Sequence, residues 1–262
     1  MTVPLLTVLG RMTMAFLEAI GAISAFALQA ARQAVQPPYY NRQILRQMLE
    51  IGYYSLPVVG LTAIFTGMVL ALQSHTGFAR FSAESAIPNV VVVSLTRELG
   101  PVLAALMVAG RVGAAMAAEI GTMRVTEQID ALETLAFDPV AFLAVPRLVA
   151  ALIMVPVLVA IANFVAIFAA FITLILATDV TPLDFKSGLQ LAFIPFQIWY
   201  SIIKSVGFGA AIALVCTYEG YVSGSGAEGV GRSTAKAVVI TSVAILVYDA
   251  IIAALLAPFI QA

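Results

Sequence analysis

Charge is what this chain has least of. Only 10% of its 262 residues are charged, with 13 Lys and Arg against 14 Asp and Glu. A soluble domain carries about 25%. With 62% of residues hydrophobic and a mean hydropathy of +1.04, there is too little polar surface to cover a water-soluble globule, so lipid must be the solvent for much of the chain. The net charge of −1 is uninformative, but no basic tail or stripe points to nucleic acid, and none is expected as a partner. The single cysteine, Cys216, excludes an internal disulfide and a cysteine metal site, and the single histidine, His75, cannot form a histidine cluster. No G-x-x-x-x-G-K-[ST] run is present, so the chain has no P-loop for a nucleotide phosphate. A secretory signal is missing too: Arg11 interrupts the first apolar run and no small-residue cleavage site follows, so the N-terminus reads as retained. No hydrolase triad and no water-facing carboxylate pair can be assembled, which reads as a protein that is not an enzyme.

What the chain has is long apolar runs. A spanning helix needs about 20 apolar residues, and five stretches qualify: 52–74, 90–120, 148–177, 193–218 and 237–260. Residues 1–50 are interrupted by Arg11, Glu18, Arg32, Arg42 and Arg46 and read as a helix lying in the membrane interface followed by a polar entry segment. An imperfect first span is the other reading of residues 1–35. The expected fold class is thus an all-α integral membrane protein of one domain, 1–262, with an N-terminal interfacial helix and about five transmembrane helices. Lys and Arg collect in the N-terminal region, in the second-to-third loop (Arg124, Arg147) and in the fourth-to-fifth loop (Arg232, Lys236), while the other two loops hold Arg80 and Lys186. The positive-inside rule then places the N-terminus in the cytoplasm.

Two patterns carry functional readings. In residues 121–139, Val125, Ile129, Leu132 and Ala136 fall on one face of a helical wheel, and Arg124, Glu127, Asp130 and Glu133 on the other. An amphipathic helix between two spans is either a coupling helix that docks on an ATPase or an ordinary surface-loop helix. Glu119 precedes it, and Met123 lies in its first turn. The second pattern is ionisable residues at membrane depth, which are costly and mark a pathway or a pair. Arg97 and Glu98 lie in the second span, and Lys204 and Asp249 each lie about ten residues from the outer ends of the fourth and fifth. At ~1.5 Å per residue both sit roughly 15 Å deep, so an ion pair or shared polar network is expected between them. In the uncharged first span, Leu61, Phe65, Met68 and Leu72 share one face, with Val69 beside them, and are candidates to line a lipid cavity, although core packing or lipid contact is the commoner role for any one of them. The glycines of 224–229 match G-x-G-x-x-G, but flanking spans instead of a βαβ unit make this a flexible turn.

Residues 94–147 resemble the signature region of the MlaE-type permeases that work with Mce-domain proteins. The matching elements are RELGP at 97–101, AGR-x-G at 109–113, AEIG-x-M at 118–123, TEQ-x-x-AL at 126–132 and DP at 138–139, with IKS at 203–205, Gly220-Tyr221 and Asp249 further on. The resemblance implies a permease homodimer in the bacterial inner membrane. Two ABC ATPase subunits, which hold ATP and Mg, would sit beneath it and an Mce-domain periplasmic protein outside, with a STAS-domain protein a further candidate partner. The chain itself would carry no cofactor. The implied activity is phospholipid transport that maintains envelope lipid asymmetry, and the alternative is a secondary transporter or channel without an ATPase. On this reading the lipid pathway takes Leu61, Phe65, Met68, Val69, Leu72, Arg97, Glu98, Lys204 and Asp249, and ATPase coupling takes Glu119, Met123, Arg124, Glu127, Asp130 and Glu133.

Overall fold

Apolar sequence this long has one way to satisfy its backbone in lipid, which is to close every N–H and C=O inside helices. The computed structural model describes residues 2–37, 39–81, 83–178 and 180–260, and no strand occurs among them. In chain order the helices are α1 (Thr2–Val35), α2 (Asn41–Ile51), α3 (Leu56–Phe78), α4 (Ile87–Val125), α5 (Gln128–Thr134), α6 (Val140–Ala177), α7 (Pro182–Ala192), α8 (Pro195–Tyr221) and α9 (Gly226–Ile260). Short single turns of tighter helix join α2 to α3 and α3 to α4. The protein is an all-α, multi-pass membrane protein. Among the described residues, six helices are long and apolar enough to cross a bilayer, the one beyond the five expected being Gly10–Val35 within α1. Sequence reading assigned α1 to the interface. Among its described side chains Phe26 and Ala30 are buried, and the rest lie on the outside of the bundle or at its edge.

α8 is the centre of the bundle. It packs against α6, α9 and the second half of α4, while α3 runs along α6. Close approach is bought with small residues, as membrane helices require where lipid supplies no hydrophobic drive. A Cβ on Gly67 of α3 would stand 2.1 Å from the Ala166 carbonyl oxygen of α6, and one on Gly209 of α8 would stand 2.6 Å from that of Ala151.

α4 is not a uniform helix. It widens into π turns at Leu95–Leu99 and Ala109–Gly113. Pro101 accounts for the first. It has no N–H to give, and its ring would clash with the carbonyl four residues back, that of Arg97. The wider turn makes room and leaves the Arg97 carbonyl free to accept from another helix.

α7 starts cleanly because Thr181 and Asp184 form a reciprocal capping box, with Pro182 in the first turn. The segment 121–139, expected as one amphipathic helix, is two pieces. α4 ends at Val125, Glu127 takes a left-handed conformation at φ 58°, and α5 covers seven residues before Ala136 turns left-handed at φ 59°. The break buries Ile129 against Ile120 and Leu143 but leaves Val125 and Ala136 exposed, so the four-residue apolar face does not form. The glycine run 224–229 is likewise helical over four of its six residues, since α9 begins at Gly226, whose φ is 75°.

Candidate functional site

The π turn of α4 sets Arg97 and Glu98 against α8. Lys204 of α8 is completely buried, and its ammonium reaches three groups at once. Glu98 Oε2 is at 2.6 Å, Asp249 Oδ1 of α9 at 2.7 Å, and the Arg97 carbonyl freed by Pro101 at 3.2 Å. The Asp249 contact is a close ion pair whose angles are not those of a hydrogen bond. Tyr200, one turn before Lys204, donates its hydroxyl to Glu98 Oε1 at 3.0 Å. Its ring lies 4.7 Å from the Lys204 ammonium and 5.7 Å from the Arg97 guanidinium. Two cations and two anions therefore meet on three spanning helices with no net charge. The cluster is not sealed: 44% of the Glu98 side chain remains accessible, against none of Lys204. A lone ammonium at this depth would cost about 2.5–3.5 kcal/mol by insertion scales. Two carboxylates, a carbonyl and a ring face offset that cost.

Sequence reading paired Lys204 with Asp249, and the structure adds Glu98 as a partner on the other side. It did not single out Tyr200. The signal was available, because Tyr200 and Lys204 stand at i and i+4 and share a face. Leu61, Phe65, Val69 and Leu72 are not part of this cluster. They lie exposed along the outer face of α3, with Met68 half-buried among them.

At the opposite end of the bundle, around α5, ion pairs are more open. Arg124 meets Asp130 at 2.6 Å with 40% and 54% of the two side chains accessible. Arg124 also lies 6.0 Å from the Tyr221 ring, and the Tyr221 hydroxyl reaches Glu133 at 3.4 Å. Glu127 projects from the left-handed turn and is exposed, and Met123 is half-buried against the small core around Ile129. Glu119 turns inward: its carboxylate accepts from Arg147 at 2.6 Å, and Arg147 also donates to the Leu143 carbonyl at 2.7 Å. Arg147 is buried, and no local spacing announces its partner 28 residues away. A further tie runs from Gln33 of α1 to Asp138. No group of three or more side chains suited to a metal ion occurs among the described residues.

The family model described as Permease MlaE matches residues 44–255. A probable ABC transporter permease protein of Rickettsia felis is 49% identical over 248 residues, covering 93% of this chain and 94% of that one. The intermembrane phospholipid transport system permease protein MlaE of Haemophilus influenzae is 33% identical over 257 residues, 98% of each chain. A chloroplastic protein of Arabidopsis thaliana, TRIGALACTOSYLDIACYLGLYCEROL 1, is 33% identical over 227 residues, 87% of this chain and 65% of that one.

Proposed function

The chain belongs to the MlaE permease family, and from that premise we propose that it moves phospholipid across or out of the inner membrane as half of a permease homodimer. It is an ABC transporter permease, a transport subunit. The ATP and Mg belong to a separate ATPase chain that docks at the α5 end, where Arg124, Glu127, Asp130 and Glu133 are exposed. An Mce-domain protein receives or delivers the lipid on the other side, and a STAS-domain protein is a further partner. The N-terminus then faces the cytoplasm. The exposed α3 face, with Leu61, Phe65, Val69 and Leu72, supports a second copy and a lipid-lined midline.

The observation that carries this reading is the neutral cluster of Arg97, Glu98, Lys204 and Asp249, buried at Lys204 and accessible at Glu98. A phospholipid headgroup presents an anionic phosphate and, in many lipids, an ammonium. A site with both signs already paired exchanges partners with such a headgroup without creating a net buried charge. The reading is tested by reconstituting the chain with its ATPase and Mce partners in vesicles and following a fluorescent phospholipid. ATP-dependent transfer in the parent, lost in Lys204→Ala while the complex still assembles, is the expected result. Solute or ion flux by the chain alone, with no dependence on ATP, would establish the secondary-transporter alternative instead.

A further inference from the structure

A cavity of about 740 Å³ lies between α6, α7, α8 and the first turns of α4. No residue of α3 lines it, and it shares none of the residues assigned above to the lipid pathway. Its size is within the ~300–1,000 Å³ of small-molecule sites. Its lining is almost wholly apolar, from Pro156 to Phe171 along α6 and with Phe185 and Leu189 of α7 above. The span from Pro156 to Phe171 is roughly 22 Å of helix at ~1.5 Å per residue. One leaflet's acyl chains occupy about 15 Å, half of the ~30 Å hydrocarbon core, so the cavity holds a whole chain.

Two features give it a direction. Lys186 of α7 is the one charged residue of the lining, it is exposed, and no ion-pair partner accompanies it among the described residues. The nearby Asp184 carboxylate is held by Thr181 in the capping box. On the inner wall stand Thr96, Asn163, Gln197 and Ser201, with Gln197 and Ser201 more than nine-tenths buried. The roof is fixed. A Cβ on Gly188 of α7 would stand 2.7 Å from Pro88 Cβ, and the Phe185 and Phe171 rings meet edge-on at 4.9 Å. An apolar slot of acyl-chain length under an ammonium with no ion-pair partner among the described residues complements an amphiphile with an anionic head.

We infer that this cavity is a second lipid site on each protomer, which takes one acyl chain of a bilayer phospholipid with its anionic headgroup at Lys186. The site does not rest on the transport reading. Binding is a property of the isolated chain and needs no ATPase.

The test uses the purified full chain in phosphatidylcholine nanodiscs, with Trp199→Phe removing the single tryptophan and Phe168→Trp placing a reporter in the cavity wall. Brominated phosphatidylglycerol and brominated phosphatidylcholine are titrated as quenchers. Bulk lipid contact quenches without regard to headgroup, so only the difference between the two reports the site. Half-maximal quenching is expected at an about fivefold lower mole fraction of the anionic lipid, the value of one lysine near a membrane surface. Lys186→Gln should abolish that difference and Lys186→Arg retain it. Ala160→Phe, which fills the slot from α6, should abolish it with Lys186 intact. Equal quenching by both lipids in the parent, or selectivity that survives either Lys186→Gln or Ala160→Phe, overturns the inference.

Discussion

Arg124 meets Asp130 at 2.6 Å, and Lys204 meets Glu98 at the same 2.6 Å, yet the two contacts are different objects. Around α5 both partners are about half accessible, so water competes for each charge and side-chain entropy opposes the pairing. Inside the bundle Lys204 has no access to solvent, and each of its contacts replaces hydration it has lost. Equal distances therefore say little about equal energies. Accessibility decides whether an ion pair is a structural necessity or a surface available to a partner. Between these extremes stands Arg147–Glu119, with the arginine 3% and the carboxylate 48% accessible.

That contrast is sharpened by removing one partner at each place. The largest effect is expected for Lys204→Met, which leaves Glu98 and Asp249 without the ammonium that pairs with both of them. A loss of about 3–5 kcal/mol is expected, read as a lowered unfolding midpoint in detergent together with lost transport. Adding Asp249→Asn to that variant should recover part of the stability and none of the transport. A double variant no more stable than the single would show that Asp249 does not feel Lys204. Next comes Arg147→Met. Glu119 can rehydrate because half of it is accessible, so the expected loss is about 1–3 kcal/mol, measured in the same unfolding assay; a loss as large as that of Lys204→Met would erase the distinction by accessibility. Tyr200→Phe removes one hydroxyl from Glu98 and keeps the ring beneath the ammonium. About 1 kcal/mol is expected, with transport slowed but not abolished. The smallest stability change belongs to Asp130→Arg, within ~1 kcal/mol of the parent. It should nonetheless weaken ATPase binding in a pull-down, and unchanged assembly with unchanged lipid-stimulated hydrolysis would remove the α5 region from the coupling surface.

The depth of the charged residues was legible in the sequence because helix rise is constant. Counting from the ends of two spans was enough to set Lys204 and Asp249 level. Glu98 as the second partner was not legible, because a wheel with 3.6 residues per turn has no place for the π turn at Leu95–Leu99. The cue was Pro101, whose missing N–H loosens the turn before it. The opposite error occurred at 121–139. An even amphipathic pattern concealed a left-handed Glu127, which nothing in its residue type announces. Arg147 was visible only as a loop charge, since its partner is set by how α4 and α6 cross.

The three ion-paired residues of the buried cluster are also made in a definite sequence. Glu98 is synthesised first, Lys204 about a hundred residues later and Asp249 last, within the final helix. When α8 enters the bilayer, α4 is already there with a carboxylate and an unclaimed carbonyl, so the lysine need not enter lipid alone. A chain interrupted before α9 lacks only one of the two counterions. The order of biogenesis thus spares the most expensive residue in the protein an unpaired stage, and it makes α9 the helix whose arrival completes charge balance.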